Sequence, residues 1–258
     1  MTSRKTALIT GASVGIGESF ARLLASEKFD LVLVARDQQR LESKADELRQ
    51  MFAVKVEIIS ADLAKSDELD RVVNRVSNSS APIDVLINNA GFGINKSFAK
   101  SEVREEMDLL DVLVTAPLKL MHAILPQMRE RNSGIIINVS SVAGWIAGGS
   151  YSAAKSYVTV LTESLHTELA DTGITVHALC PGFTRTEFHQ RGQMKMGAVP
   201  SFMWLNADRV VSTAWSGANK GKVISVPGWQ YKILSAISRF GPRPLVRKIG
   251  MGLRKKQR

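Results

Sequence analysis

Apolar and polar positions along the chain alternate between two patterns. Short, near-continuous apolar runs occupy residues 6–10, 31–35, 85–87, 135–139 and 174–179. Runs of this length read as strands buried on both faces. Residues 54–58, Val-Lys-Val-Glu-Ile, alternate like a half-buried strand, and 223–226 forms a last short one. Between these runs the apolar residues fall at helical spacing. Ile16, Phe20, Leu23 and Leu24 mark the first such helix. Further helices are expected over 38–50, 66–78, 102–120, 120–130, 152–170 and 207–216, with Pro117 and Pro126 as kinks in the two long ones. Asp37 stands where an N-cap is wanted for the helix over 38–50. Strands alternating with helices predict an α/β domain, a doubly wound parallel sheet between two helical layers. Residues 183–205 have no regular pattern. The expected domain covers residues 1–228, followed by an amphipathic tail over 229–258.

Composition changes this picture at one end only. The 258 residues are 45% hydrophobic and 22% charged, which are globular values. The net charge is +10, and 12 of the 34 basic residues fall in 209–258, where there is no Asp or Glu. The remaining 22 basic residues face 24 acidic ones, so the body is near neutral and the tail is basic. No aromatic stacking platform accompanies those charges, so a nucleic-acid partner is not expected. One cysteine, Cys180, excludes a disulfide framework and suits a reducing compartment. No signal-peptide core and no window of 18 uninterrupted apolar residues is seen, and a cytoplasmic protein is expected. The Asn-x-Ser/Thr matches at Asn78, Asn95 and Asn138 then carry no glycosylation meaning.

Three stretches carry candidate chemistry. The first strand runs into Thr10-Gly-Ala-Ser-Val-Gly15-Ile-Gly17 and then a helix. Glycines there let a backbone approach a pyrophosphate, and the helix N-terminus favours its charge, although a bare tight turn has the same composition. The second strand ends in Ala35-Arg36. An acid at that place binds a ribose 2′-hydroxyl; an arginine suits a 2′-phosphate or is a solvated surface charge. Tyr151 and Lys155 lie one turn apart on a helix face. An ammonium beside a phenol lowers its pKa toward the working range, which builds a proton donor for a carbonyl oxygen. The four histidines, at 122, 166, 177 and 189, show no ligand spacing, so no metal site is expected. Cys180 reads as a small buried hydrophobe.

Six motifs in order resemble the short-chain dehydrogenase/reductase family over roughly residues 5–230: Thr10-Gly-x-x-x-Gly-Ile-Gly17, Asp62-Leu63, Asn88-Asn-Ala-Gly91, Ser141, Tyr151-x-x-x-Lys155 and Pro181-Gly-x-x-x-Thr186. The resemblance implies a Rossmann-type sheet and hydride transfer between a nicotinamide and a carbonyl or alcohol. It implies that Gly11, Ser13, Gly15, Ile16 and Gly17 hold the pyrophosphate, and that Arg36, Asp62 and Leu63 face the adenosine end. Asn88, Asn89, Ala90 and Gly91 would support the cofactor and the sheet. Ser141 would bind the substrate oxygen, Tyr151 would be the acid or base, and Lys155 would hold the nicotinamide ribose and depress the phenol. Pro181, Gly182, Thr184 and Thr186 would line the nicotinamide side. With Arg36 in place, the expected cofactor is NADP(H).

Two positions depart from the family pattern. Leu113 stands where an asparagine usually completes a proton relay through water to the lysine. Ser141 and Tyr151 are ten positions apart, where relatives usually have thirteen. A non-catalytic nucleotide-binding scaffold is the alternative these departures leave open. The stretch 183–205 resembles the family's substrate lid, and with Phe183, Phe188, Met194, Met196, Phe202, Met203 and Trp204 it leans toward a hydrophobic ketone or aldehyde. A homodimer or homotetramer through the long helices near 102–130 is implied. The basic tail is expected either to touch an anionic membrane surface or to pack on a neighbouring subunit.

Overall fold

The computed structural model describes residues 4–194, 196, 197, 199–244, 246 and 247. Seven parallel strands form one sheet in the order β3-β2-β1-β4-β5-β6-β7. They are β1 (Thr6–Thr10), β2 (Asp30–Ala35), β3 (Val56–Ser60), β4 (Val85–Asn88), β5 (Gly134–Val139), β6 (Ile174–Leu179) and β7 (Ile224–Ser225). The order reverses between β1 and β4. A doubly wound sheet opens its ligand crevice there, beyond the strands' carboxyl ends.

Helices cover both faces, which is why the central strands are apolar throughout. On one face α1 (Gly15–Ser26), α2 (Gln38–Phe52) and α8 (Ala207–Asn219) bury Phe20, Leu24, Leu41, Leu48, Val210 and Val211. On the other, α3 (Ser66–Ser77), α4 (Val103–Leu110), α5 (Ala116–Arg131) and α6 (Ser150–Glu168) flank a second core that includes Leu69, Val72, Leu120 and Ile124. Asp37 caps α2, its carboxylate accepting from the Arg40 N–H at 3.0 Å.

Several boundaries differ from the sequence reading; the helix expected over 152–170 begins at Ser150 and so contains Tyr151. The third strand begins at Val56, because α2 runs on to Phe52 and closes on Ala53 in the left-handed conformation (φ 54°). Its register then pairs Leu31 with Val56 and Ala35 with Ser60. The two long helices join into one run, Val103–Arg131, interrupted by a π-helical segment at Asp111–Thr115. There the Ala116 N–H reaches the Asp111 carbonyl five residues back, and Pro117 has no N–H to continue the ordinary ladder. By length and composition this run could cross a membrane; in the fold one side of it packs inward, with Leu109, Leu113, Leu120 and Ile124 buried, and the other side is exposed. The stretch 183–205 contains a short helix, α7 (Phe188–Arg191), and a 3₁₀ turn at Ser201–Met203.

The chain beyond residue 228 does not leave the domain at once. Helix α9 (Trp229–Phe240) follows, and its Tyr231 is 1% exposed within the first core. The tail motif at 245–249 falls partly, and that at 253–256 wholly, outside the described residues.

Candidate active site

The site is assembled from the carboxyl ends of β1, β2, β4, β5 and β6. After β1 the chain turns through Gly11 (φ +67°) and Gly15 (φ +62°). A Cβ on Gly17 would lie 2.1 Å from the Gly11 carbonyl oxygen, so the cradle closes only with glycine. Ser13 is buried and Ile16 packs onto the first core. Helix α1 begins here with no side chain capping it, which leaves its first N–H groups to a ligand. The Asn88–Gly91 stretch is stitched to this turn. Asn89 Nδ2 donates to the Thr10 and Gly11 carbonyls at 2.9 and 3.1 Å, and Thr10 Oγ1 accepts from the Asn89 and Ala90 N–H groups at 2.9 and 3.1 Å.

At the end of β2, Arg36 is 68% exposed at its side chain and lies 3.9 Å from Asp62. A pair this open is weak, so the guanidinium is available to an anion. Asp62 accepts from the Ala64 N–H at 3.1 Å, and Leu63 beside it is buried. On the far side of the cradle, Thr186 packs its methyl-bearing carbon against Gly15. Thr184 is buried and donates to the Gly182 carbonyl at 3.1 Å, while the Pro181 carbonyl accepts from the Ser141 hydroxyl at 3.4 Å.

Ser141, Tyr151 and Lys155 converge despite the short connection between the first two. Gly144 makes this possible: a Cβ there would sit 3.0 Å from the Lys155 carbonyl carbon, so the loop lies directly on α6. Ser140 ties it down by donating to the Lys155 carbonyl at 2.8 Å. Burial raises the Tyr151 pKa to about 12, with the Ser141 hydroxyl opposing that shift. Burial lowers the Lys155 pKa to about 8. The expected depression of the phenol by Lys155 is therefore not what this cleft does. The ammonium lies 5.8 Å from the ring centroid and donates to the Val139 carbonyl at 2.7 Å. Desolvation of the phenol outweighs attraction at that distance.

The lid closes over this group. The Phe188 ring is 5.9 Å from the Tyr151 ring, and Met194 reaches Gly93 across the cleft. Phe183, His189 and Trp204 pack behind Phe188 in tilted and edge-to-face contacts. His189 is half-buried there, its pKa lowered by desolvation, and its buried Nδ1 has no partner among the described residues.

Two contributors escaped the sequence reading. Tyr231 accepts from the Phe183 N–H at 2.9 Å and donates to the Met203 carbonyl at 2.6 Å, pinning both ends of the lid. The signal was there, since Tyr231 faces away from Trp229, Ile233 and Ile237 at helical spacing. Asn138, noted only as an Asn-x-Ser match, is fully buried. It accepts from Asn88 at 2.8 Å and donates to Thr162 at 2.9 Å, locking β4, β5 and α6 together. A lone asparagine inside Gly-Ile-Ile-Ile-Asn-Val was the clue.

Comparison with known proteins agrees with this geometry. Residues 5–196 match the family described as short chain dehydrogenase, and the chain belongs to that family. A ketoacyl reductase, HetN, of Nostoc sp. is 37% identical over 182 residues, 69% of this chain and 63% of its own. This chain thus matches less than two thirds of that relative's length. A short-chain dehydrogenase from Sphingobium yanoikuyae in complex with NADPH is 31% identical, with a TM-score of 0.83 over 98% of this chain and 96% of that one. A bulky-bulky ketone specific alcohol dehydrogenase from Comamonas testosteroni is 29% identical, with a TM-score of 0.81 over 100% and 96%.

Proposed function

We propose that this protein is an NADP(H)-dependent oxidoreductase acting on a hydrophobic ketone or aldehyde, or on the corresponding alcohol. The observation that carries the reading is the convergence of Ser141, Tyr151 and Lys155 beneath an apolar lid, at the crevice end of the sheet. The glycine cradle fits a dinucleotide's pyrophosphate, and the exposed Arg36, with Ala35 in place of an acid, fits a 2′-phosphate. The bound nicotinamide would supply or accept the hydride. The chain's own residues do the rest. With its pKa near 12 the Tyr151 phenol holds its proton at neutral pH and can give it to a carbonyl oxygen. The Ser141 hydroxyl would orient that oxygen, and Lys155 would hold the nicotinamide ribose. Phe188 and Met194 exclude water and shape the apolar pocket.

The NADPH complex of the Sphingobium relative and the ketone specificity of the Comamonas enzyme support this choice of cofactor and substrate class. A cytoplasmic homo-oligomer, paired through the exposed Val103, Met107, Leu110 and Leu118 of the long helical run, belongs to the same reading. The test is NADPH and NADH binding, followed by cofactor oxidation with a panel of bulky ketones, in wild type and Arg36→Ala. Preference for NADPH should collapse in the variant, a charge-assisted contact being worth about 1.5–3 kcal/mol. NADPH binding without turnover of any ketone would favour a non-catalytic scaffold; equal binding of NADH by wild type would overturn the cofactor assignment.

A further inference from the structure

We infer that the outer face of α9, together with Phe202, is a docking surface for an anionic lipid bilayer. The helix is turned against the usual rule. The residues it buries are Tyr231, Ser235 and Ser238. Those it presents outward include Trp229 (67% exposed), Ile233 (54%), Ile237 (46%) and Phe240 (84%). Their spacing of four, four and three residues is one stripe along one side. Gln230 Nε2 donates to the Phe202 carbonyl at 3.0 Å, so Phe202, itself 62% exposed, lies next to the first turn of the helix. Single exposed apolar side chains are ordinary; four aligned on one helix, with a fifth exposed beside it, mark a surface that meets something.

Charge chooses the occupant. From residue 209 to 258 the chain carries 12 Lys and Arg and no acid. Lys232, Arg239 and Arg243 are exposed beside the stripe. Arg239 pairs with Glu163 at 3.5 Å and lies over the Trp145 ring at 5.3 Å, so Lys232 and Arg243 are the cations more open to an anionic surface. A second copy placed on this face would bring its own basic segment against the first. An anionic bilayer complements both the apolar stripe and the cations flanking it. At twelve residues α9 is too short to span a membrane, so it would lie in the interface. The same helix holds the lid through Tyr231, which puts the docked face beside the lid. The surface stands independently of the catalytic reading.

The experiment is flotation of the full-length chain with phosphatidylcholine vesicles, with and without phosphatidylglycerol, for wild type and I233E/I237E. Wild type should float with the anionic vesicles only and be released by raised salt. The double variant should bind at least about tenfold more weakly while its thermal unfolding is unchanged. Trp229→Ser and Phe240→Ser, at the most exposed positions, repeat the test if the double variant fails to fold. Wild type remaining unbound to both vesicles, or variants floating as well as wild type, overturns the proposal. A larger oligomer for wild type than for I233E/I237E by light scattering, without flotation, assigns the face to a second copy and also rejects it.

Discussion

Leu113 and Lys155 close on Gly91 from two sides. A Cβ on that glycine would lie 2.7 Å from Leu113 Cδ2 and 3.8 Å from Lys155 Nζ. The leucine is 1% exposed and sits in the π-helical segment Asp111–Thr115. The wall beside the ammonium is thus apolar, and a relay water there lacks the two to four partners such a water needs. The prediction is that proton supply to Lys155 limits turnover. Leu113→Asn is expected to raise the rate, by up to about tenfold, and to change a solvent isotope effect's response to pH, with NADPH affinity little altered. It should also cost about 1–3 kcal/mol of stability, since an amide replaces a buried methyl pair. Steady-state kinetics and thermal unfolding read both effects; an unchanged or lower rate means that proton delivery was not limiting.

Tyr151→Phe removes the proton and little else. Turnover should fall by about 10²–10⁴-fold while NADPH still binds. Ketone reduction measured beside cofactor titration separates the two. An active Tyr151→Phe enzyme would exclude the phenol as the acid.

Lys155 ties stability to pH. Its pKa falls from 10.5 in the unfolded chain to about 8 in the fold, through burial. Between those values the unfolded state binds more protons, so stability rises with pH. Cys180 and Tyr151, raised by burial from 9.0 and 10.0 to about 12, act in the opposite sense, Cys180 weakly from about pH 8 and both strongly above pH 9. The window in which Lys155 dominates is pH 8–9. Wild type should gain up to about 1 kcal/mol there in urea unfolding. Lys155→Met should lack that gain.

Tyr231→Phe keeps the ring in the core and removes the hydroxyl that bridges Phe183 and Met203. Two backbone groups lose their partner, at an expected cost of about 1–3 kcal/mol. The lid should then be cut faster by a protease at low concentration, while residues of the sheet keep their hydrogen-exchange protection. Equal cleavage of variant and wild type would mean that the hydroxyl does not hold the lid.

The sequence by itself determined the architecture and the cast of the site. Apolar runs such as Ile135–Ile137 can be satisfied only between two helical layers, and the motifs from Thr10 to Thr186 mark the strand ends in order. These are local facts, carried by residue type and spacing. Tertiary packing decided what spacing cannot express. It joined the helices around Leu113 through a π turn, because Pro117 withholds one N–H. It brought Ser141 to Tyr151 over a shortened loop, because Gly144 lets that loop rest on α6. It reversed the expected pKa shift of Tyr151, because desolvation depends on what covers a side chain, and the Phe188 that covers it lies 37 positions away in the chain. It also turned α9 so that Tyr231 faces the core and Trp229 faces out. A helical pattern shows that two faces exist; the hydrogen bonds from Tyr231 to the lid select the one that is buried.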